Sequence, residues 1–134
     1  MRIYLASRFY RRTEMRDVAI RLEREGHEVT SRWILSNDIE ADIERGAGRL
    51  AQLADEDFED IRRAEVIVLF GETEKAAFSG GRFVEFGYAL AFGKIAYLVG
   101  PAENIFAYWY GVNRVRDVEE LISALAHLEA AQNV

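Results

Sequence analysis

Two carboxylates in this chain stand where apolar residues are expected, and any chemistry would start with them. The first is Glu85, the one charged residue in the run FVEFGYALAFG between Arg82 and Lys94. The glycine-containing segment 79–81 precedes this run, and the apolar run IAYLV follows it. A carboxylate in such a run loses hydration, which is costly unless a partner stabilises it. Glu85 is therefore a candidate catalytic group.

The second carboxylate is Asp57, on a helix predicted over 46–63. At about 100° per residue, Asp57 lies in the middle of the apolar face of this helix. Neighbouring charged residues, Asp60 among them, are predicted to point to the sides or away. The apolar face consists of Leu50, Leu53, Ala54, Phe58 and Ile61.

Paired carboxylates perform general acid–base or nucleophilic catalysis, and glycosyl transfer typically needs two of them. One carboxylate attacks the anomeric carbon or stabilises an oxocarbenium ion, while the other handles the proton of the leaving group. A structural role is the alternative, because each acid could make a buried hydrogen bond to a backbone amide or an arginine. The residues alone leave both readings open.

The elements that must position these acids alternate along the chain. Strands are predicted at 3–6, 28–33, 65–70, 95–99 and 112–116, and helices at 10–25, 46–63, 82–92 and after Asp117, with an irregular loop at 34–45. This alternation indicates βαβ units and a parallel sheet. We therefore predict an α/β, flavodoxin-like three-layer sandwich with strand order 2-1-3-4-5. Its ligand crevice would lie where strands one and three end.

Composition restricts the remaining function classes. With 134 residues, half of them hydrophobic, we expect a single domain over 1–134. The absence of cysteine excludes disulfides and cysteine metal sites, and the net charge of −6 argues against a general nucleic-acid surface. No stretch approaches a membrane span, and Arg8 interrupts the first apolar stretch before it reaches signal-peptide length. We expect a cytoplasmic protein.

Three further segments carry weaker signals. Segment 79–81 could hold a phosphate on backbone amides at a helix start, or be a flexible entry loop. Arg8, Arg11 and Arg12 could reach a phosphate or simply form a solvated face. The aromatic segment 106–110 is a base-stacking lid or a subunit contact, and we favour the contact.

The chain resembles the nucleoside 2-deoxyribosyltransferase superfamily, which includes the related nucleoside 5′-monophosphate N-glycosidases. The resemblance covers nearly the whole chain, through RIYLAS, ADEDFEDIRRAEVIVLF, SGGRFVEFGYALAFGKIAYLVG and PAENIF. It implies that Glu85 is the nucleophile, that Asp57 handles the base and its proton, and that Tyr4 positions the nucleophile. It further implies substrate-binding roles for Ser7, Arg8, Phe9, Ser79, Gly81 and Asn104, the last supplied by a neighbouring subunit to the sugar 5′ end.

Ser79 departs from one branch of this superfamily. Transferases of free nucleosides typically carry an aspartate six residues before the nucleophile, whereas the N-glycosidases resemble this chain in having a serine. A carboxylate would repel a 5′-phosphate and a hydroxyl would not. Asn104, by contrast, leans toward the transferases, and Ala6 and Ser7 stand where glycine is common in the superfamily.

The resulting expectation is cleavage of the N-glycosidic bond of a (2′-deoxy)nucleoside or its 5′-monophosphate through a covalent glycosyl-Glu85 intermediate. The sugar then passes to another base or to water. No metal or organic cofactor is implied, and the partners are a nucleoside or nucleotide and further copies of the chain, with neither a nucleic acid polymer nor a membrane. The alternatives are a non-catalytic nucleotide-binding or sensing module, and an interaction protein whose inward acids pair with arginines.

Overall fold

The structure is a computed structural model that describes residues 1–37, 39–74 and 80–133. Within these residues, five parallel strands form one sheet in the order β2-β1-β3-β4-β5. The predicted α/β class and strand order are confirmed. The strands are β1 (Arg2–Ala6), β2 (Glu28–Val29), β3 (Val66–Phe70), β4 (Ile95–Val99) and β5 (Val112–Val115). The helices are α1 (Arg12–Arg24), α2 (Ile39–Glu44), α3 (Ala47–Arg63), α4 (Gly81–Ala91) and α5 (Val118–Gln132), with 3₁₀ turns at Phe9–Arg11, Arg32–Leu35 and Ile105–Tyr108.

Helices cover both faces of the sheet, and the strands alternate between two cores as their period of two requires. Ile3 and Leu5 of β1 pack in the core that contains the buried side chains of α1 and α5. Tyr4 and Ala6 pack in the opposite core, with side chains of α3 and α4. Tyr4 therefore points toward the two helices that carry Asp57 and Glu85.

Strand β2 is much shorter than the predicted strand 28–33, because side chains replace its backbone ladder. The last backbone hydrogen bond on this edge of β1 is the one that Thr30 N–H donates to Ile3 O, at 2.8 Å. Past that point, the backbone of β1 on this edge bonds to side chains. Leu5 N–H donates to Ser31 Oγ at 3.1 Å, and Leu5 O accepts from Trp33 Nε1 at 2.8 Å. The chain thus leaves the sheet at this point, which opens space beside the end of β1.

The expectation of an irregular loop over 34–45 is wrong. The segment contains part of a 3₁₀ turn and the helix α2, whose Asp42 is buried and accepts a hydrogen bond from Arg49 Nε at 2.9 Å. A helix of six residues is too short to be stable by itself. Contact with α3 stabilises it, and the hydrophobic pattern of the segment does not show that contact.

The loops that follow β3 and β4 lie against each other. Gly71 N–H donates to Val99 O at 2.9 Å, and a Cβ on Gly71 would lie 2.2 Å from Pro101 O. This close approach brings the start of one loop beside Glu103 of the other. No helix in the described ranges is long and apolar enough to cross a membrane.

Candidate active site

Both predicted acids line a single cavity of about 190 Å³ beside the carboxyl end of β1. Asp57 comes to it from α3 and Glu85 from α4. Three predicted binding residues in the segment after β1 and one at the start of α4 also line it: Ser7, Arg8, Phe9 and Gly81. The sequence therefore identified most of the lining of one cavity, including residues 78 positions apart (from Ser7 to Glu85).

Glu85 is held by a residue of the central sheet. The hydroxyl of Tyr4, a fully buried side chain, donates a hydrogen bond to Glu85 Oε2. The neighbouring α4 residues Phe86 and Ala89 are buried in the core that also contains Tyr4, which fixes the rotation of the helix. Burial raises the pKa of Glu85 to about 8. A donated hydrogen bond favours the ionised form, so Tyr4 acts against the effect of burial on this pKa.

Asp57 is also a carboxyl group with a raised pKa. Burial, followed by the negative charges of Asp60 and Glu56, raises its pKa to about 7, while Arg32 acts in the opposite direction. Loss of hydration and like charges both disfavour a second negative charge. At neutral pH a large fraction of Asp57 is therefore protonated and able to donate a proton.

A second cavity of about 430 Å³ adjoins the first, and Asp57 borders both. Phe9 and Trp33 are likewise common to the two cavities, and their rings lie 6.2 Å apart between centroids. The lining of the second cavity is mixed: apolar side chains such as Leu35 and Leu53 lie beside charged ones such as Arg32 and Arg49. A planar ring with polar edges could contact both kinds of side chain there, close to Asp57.

The helical wheel predicts that Asp60 points to the side of α3 or away from its apolar face, and the structure contradicts this prediction. It is fully buried, and it accepts hydrogen bonds from the backbone N–H of Arg32 and from Arg32 Nε, both at 3.0 Å. The backbone carbonyl of Asp60 accepts from Thr30 Oγ1 at 2.9 Å. The segment after β2 covers this side of α3, and a helical wheel contains no information about that segment.

One predicted binding residue, Asn104, does not line this cavity, and another, Ser79, lies outside the described residues. Asn104 is exposed, and its Oδ1 accepts from Phe106 N–H at 3.0 Å, so that it caps the turn Ile105–Tyr108. It borders a different, mainly apolar cavity of about 550 Å³. A contribution of Asn104 to a neighbouring subunit stays a prediction.

Trp33 and Arg82 also line the cavity, and the sequence reasoning did not select them. Trp33 ends the predicted strand 28–33, whereas the structure has it in a 3₁₀ turn. The sequence does contain a signal for Arg82, because it is a cation at the start of a helix whose one other charged residue is Glu85. It is 3% exposed. Among the described residues, no group of three or more histidine, aspartate or glutamate side chains is arranged to hold a metal ion.

No protein-family model matches the chain, and no curated protein matches it in sequence. Solved structures do match. The CMP N-glycosidase BcmB of Clostridium botulinum aligns at 21% identity over 94% of this chain and 98% of that one, with a TM-score of 0.59. A 2-deoxyribosyltransferase from Bacillus psychrosaccharolyticus aligns at 20% identity over 91% and 90%, with a TM-score of 0.70. The resemblance found in the sequence is thus confirmed for the fold.

Proposed function

We propose that this protein cleaves the N-glycosidic bond of a nucleoside or a nucleoside 5′-monophosphate and carries the sugar on Glu85. One observation carries the proposal: two carboxyl groups with raised pKa values, from two different helices, line one small cavity, and Tyr4 donates to one of them. The fold shared with a CMP N-glycosidase and a 2-deoxyribosyltransferase supports it. At about 20% identity, the fold by itself does not select this chemistry.

The proposed reaction has two steps. In the first, the Glu85 carboxylate attacks C1′ of the sugar, a C1′–O bond forms, and the C1′–N bond breaks with its electron pair leaving on the base. Asp57, as a carboxylic acid, donates its proton to that base. In the second step water, or the nitrogen of another base, attacks C1′ and releases Glu85 as a carboxylate, while the Asp57 carboxylate takes up the proton that the attacking water or nitrogen loses. Covalent catalysis of this kind divides one difficult displacement into two easier ones.

The raised pKa of Asp57 suits its proposed role, whereas the raised pKa of Glu85 works against its role as a carboxylate nucleophile. A pKa of about 7 suits Asp57 as a proton donor near neutral pH, whereas a pKa of about 8 leaves Glu85 mostly protonated there. The active form has Glu85 ionised and Asp57 protonated, and it is a minority species because the pKa of Glu85 is the higher of the two. The Tyr4 hydrogen bond enlarges it, because it favours the Glu85 carboxylate.

The remaining binding residues fit the two ends of a nucleotide. The segment Ser7, Arg8 and Phe9 together with Ser79 and Gly81 would hold the sugar 5′ end beside Glu85. The base would enter the adjoining cavity of about 430 Å³, whose border includes Asp57.

We also propose that the protein is a homo-oligomer. A contact surface requires exposed side chains, and those of Phe106, Tyr108, Trp109 and Tyr110 are exposed, shortly after Asn104 in the chain. Light scattering coupled to size-exclusion chromatography tests this assignment, and a monomer at assay concentrations would refute it.

The experiment is incubation with a panel of nucleosides and their 5′-monophosphates, with and without a second free base, followed by liquid chromatography. We expect base release or base exchange, with loss of both in Glu85→Gln. Tight binding with no base released over hours would instead identify a nucleotide-binding or sensing module. Neither binding nor release would leave the acids with a structural role.

Asp57→Asn tests the proton donor. We expect activity to fall about 10²-fold or more with bases that leave poorly and less with activated bases, because an activated base needs no proton to depart. Asp55→Asn is the matched control, since Asp55 is an exposed residue of the same helix. Equal losses on both kinds of base would assign Asp57 a binding role and contradict proton donation.

A further inference from the structure

Asp60 is a fully buried carboxylate on α3, one helical turn after Asp57. Both of its oxygens accept from Arg32: the backbone N–H donates to Oδ2 and Nε donates to Oδ1, each at 3.0 Å. A proton on either oxygen would compete with one of these donors, so the arrangement favours the ionised form. Side chains three residues apart on a helix are neighbours. A fixed negative charge therefore lies beside the proposed proton donor.

The positive charge of Arg32 does not cancel this negative charge. Nη1 of Arg32 lies 3.4 Å from Glu56 Oε1 and Nη2 lies 3.5 Å from Glu59 Oε1, so one guanidinium faces three carboxylates of α3. The Arg32 side chain is 45% exposed and that of Asp60 is 0% exposed, and water screens the exposed charge more strongly. Burial is the largest cause that raises the pKa of Asp57 to about 7, and the charge of Asp60 is the next.

Charged side chains from the other elements around Asp57 do not reverse this balance. Arg82 forms a bidentate pair with Glu103, and Arg8 acts on the same carboxylate. Arg49 is paired with the buried carboxylate of α2. The charged residues that share a cavity with Asp57 are Arg8, Arg82 and Glu85 in the first cavity and Arg32, Arg49 and Glu56 in the second. Each of these cations is thus engaged by a carboxylate other than Asp57.

We propose that Asp60, held by Arg32, is a positioning residue for the leaving-group proton: its negative charge keeps that proton on Asp57 until the departing base accepts it. This inference rests on the proposed function and extends it to a residue that lines neither cavity. As the C1′–N bond breaks, its electron pair stays with the base, and the base takes the Asp57 proton. The same negative charge then helps the Asp57 carboxylate to take up the proton of the attacking water or base in the second step.

An anchoring role is the alternative for Asp60. The hydrogen bond from Arg32 N–H attaches the 3₁₀ turn Arg32–Leu35 to α3, and this turn carries Trp33 to the border of both cavities. Asparagine at position 60 separates the two roles. Its amide oxygen still accepts from Arg32 N–H, so the anchor is kept while the charge is lost.

The direct experiment titrates the Asp57 carboxyl group by carbon-13 NMR in the unmodified protein and in Asp60→Asn, with Asp57→Asn to assign the signal. We expect the midpoint to fall by about one pH unit in Asp60→Asn, because a negative charge is lost and that of Arg32 is less offset. Glu59→Gln is the matched control: it removes an exposed carboxylate that also faces Arg32, and should move the midpoint by less than about 0.3 unit. Equal midpoints in Asp60→Asn and the unmodified protein would overturn the proposal.

Arg32→Gln/Asp60→Asn covers the case in which Asp60→Asn does not fold, because removing both charges of a pair costs less than leaving one of them unpaired. The Asp57 midpoint should again fall, by about half a unit, since the charge of Asp60 acts on the pKa of Asp57 more strongly than that of Arg32 does. An unmoved midpoint in the double variant would count against Asp60.

Activity measurements distinguish this inference from the proposed function. In Asp60→Asn, kcat/KM should fall about 5-fold to 10-fold with bases that leave poorly and less with activated bases, and the acidic limb of its pH profile should move about one unit lower. In an Asp57→Asn background the same substitution should have no further effect. Equal losses on both kinds of base, with an unmoved limb, would assign Asp60 the anchoring role alone. A lower Asp57 midpoint in a protein that releases no base would refute only the catalytic proposal.

Discussion

Replacing Glu85 with glutamine should stabilise the folded protein at alkaline pH. The pKa of Glu85 is about 8 in the folded protein, against an ordinary value of 4.5. Below pH 4.5 both the folded and the unfolded chain hold the proton, and no penalty exists. As the pH rises from 4.5 to about 8, the unfolded chain ionises first, so the stability of the unmodified protein falls, and above pH 8 the penalty is complete.

The size of the effect follows from the same shift. Each pKa unit corresponds to about 1.4 kcal/mol, so burial of Glu85 destabilises the fold by at most about 5 kcal/mol at high pH. Glu85 is partly exposed, so solvent screens part of this penalty, and we expect about 3 kcal/mol. Glutamine cannot ionise, and it keeps an oxygen that can accept from Tyr4. The stability difference between Glu85→Gln and the unmodified protein should therefore grow by about 3 kcal/mol between pH 5 and pH 9.

Urea unfolding followed by tryptophan fluorescence measures this difference, since Trp33 lines the cavity. The quantity to compare is the change in this stability difference between pH 5 and pH 9. Burying the amide of glutamine adds the same free energy at both pH values, so that contribution cancels. Asp55→Asn is the control: its carboxylate is exposed, so its effect should change little between the two pH values. If the difference for Glu85→Gln is the same at pH 5 and pH 9, then Glu85 ionises without cost and the reasoning from burial is refuted.

Three other predictions can be checked with simple variants and assays. The pH profile of kcat/KM should be bell-shaped with limbs near pH 7 and pH 8, which belong to the two acids as a pair; a flat profile over pH 6–9 would contradict it. Tyr4→Phe should lower kcat about 10-fold to 100-fold and shift the alkaline limb of the profile to higher pH, because the Glu85 carboxylate loses a hydrogen bond; an unshifted profile would remove Tyr4 from the mechanism. Gly71→Ala should destabilise the protein by about 1–3 kcal/mol in urea unfolding, because the added Cβ would meet Pro101 O. Gly48→Ala is the control, since a Cβ on Gly48 would have open space around it and should not destabilise the protein. Equal effects of the two substitutions would refute this packing argument.

Much of the fold could be predicted from sequence because hydrophobic periodicity reports which face of an element is buried. The alternation of short apolar strands with helices along the chain predicted the parallel sheet, and an acid interrupting an apolar pattern located Asp57 and Glu85. A pattern identifies a face of an element and does not identify what covers it.

The features that the sequence did not predict share one physical cause, which is contact between segments distant in sequence. Asp60 is buried because the backbone after β2 covers it, and β2 is short because Ser31 and Trp33 side chains satisfy Leu5. Likewise, Glu103 lies 21 residues from Arg82, and only the close approach of the loops after β3 and β4 brings the two together. Local propensity contains none of these contacts.

A trapped glycosyl-enzyme tests the central chemistry most directly. The protein would be incubated with 2′-fluoroarabinosyl analogues of a nucleoside and of its 5′-monophosphate, because the fluorine slows the breakdown of the intermediate by destabilising the oxocarbenium-like transition state. Peptide mass spectrometry should then find the sugar on Glu85 and find no adduct in Glu85→Gln. Release of the base with no adduct on Glu85, or with the sugar on a different side chain, would contradict the account.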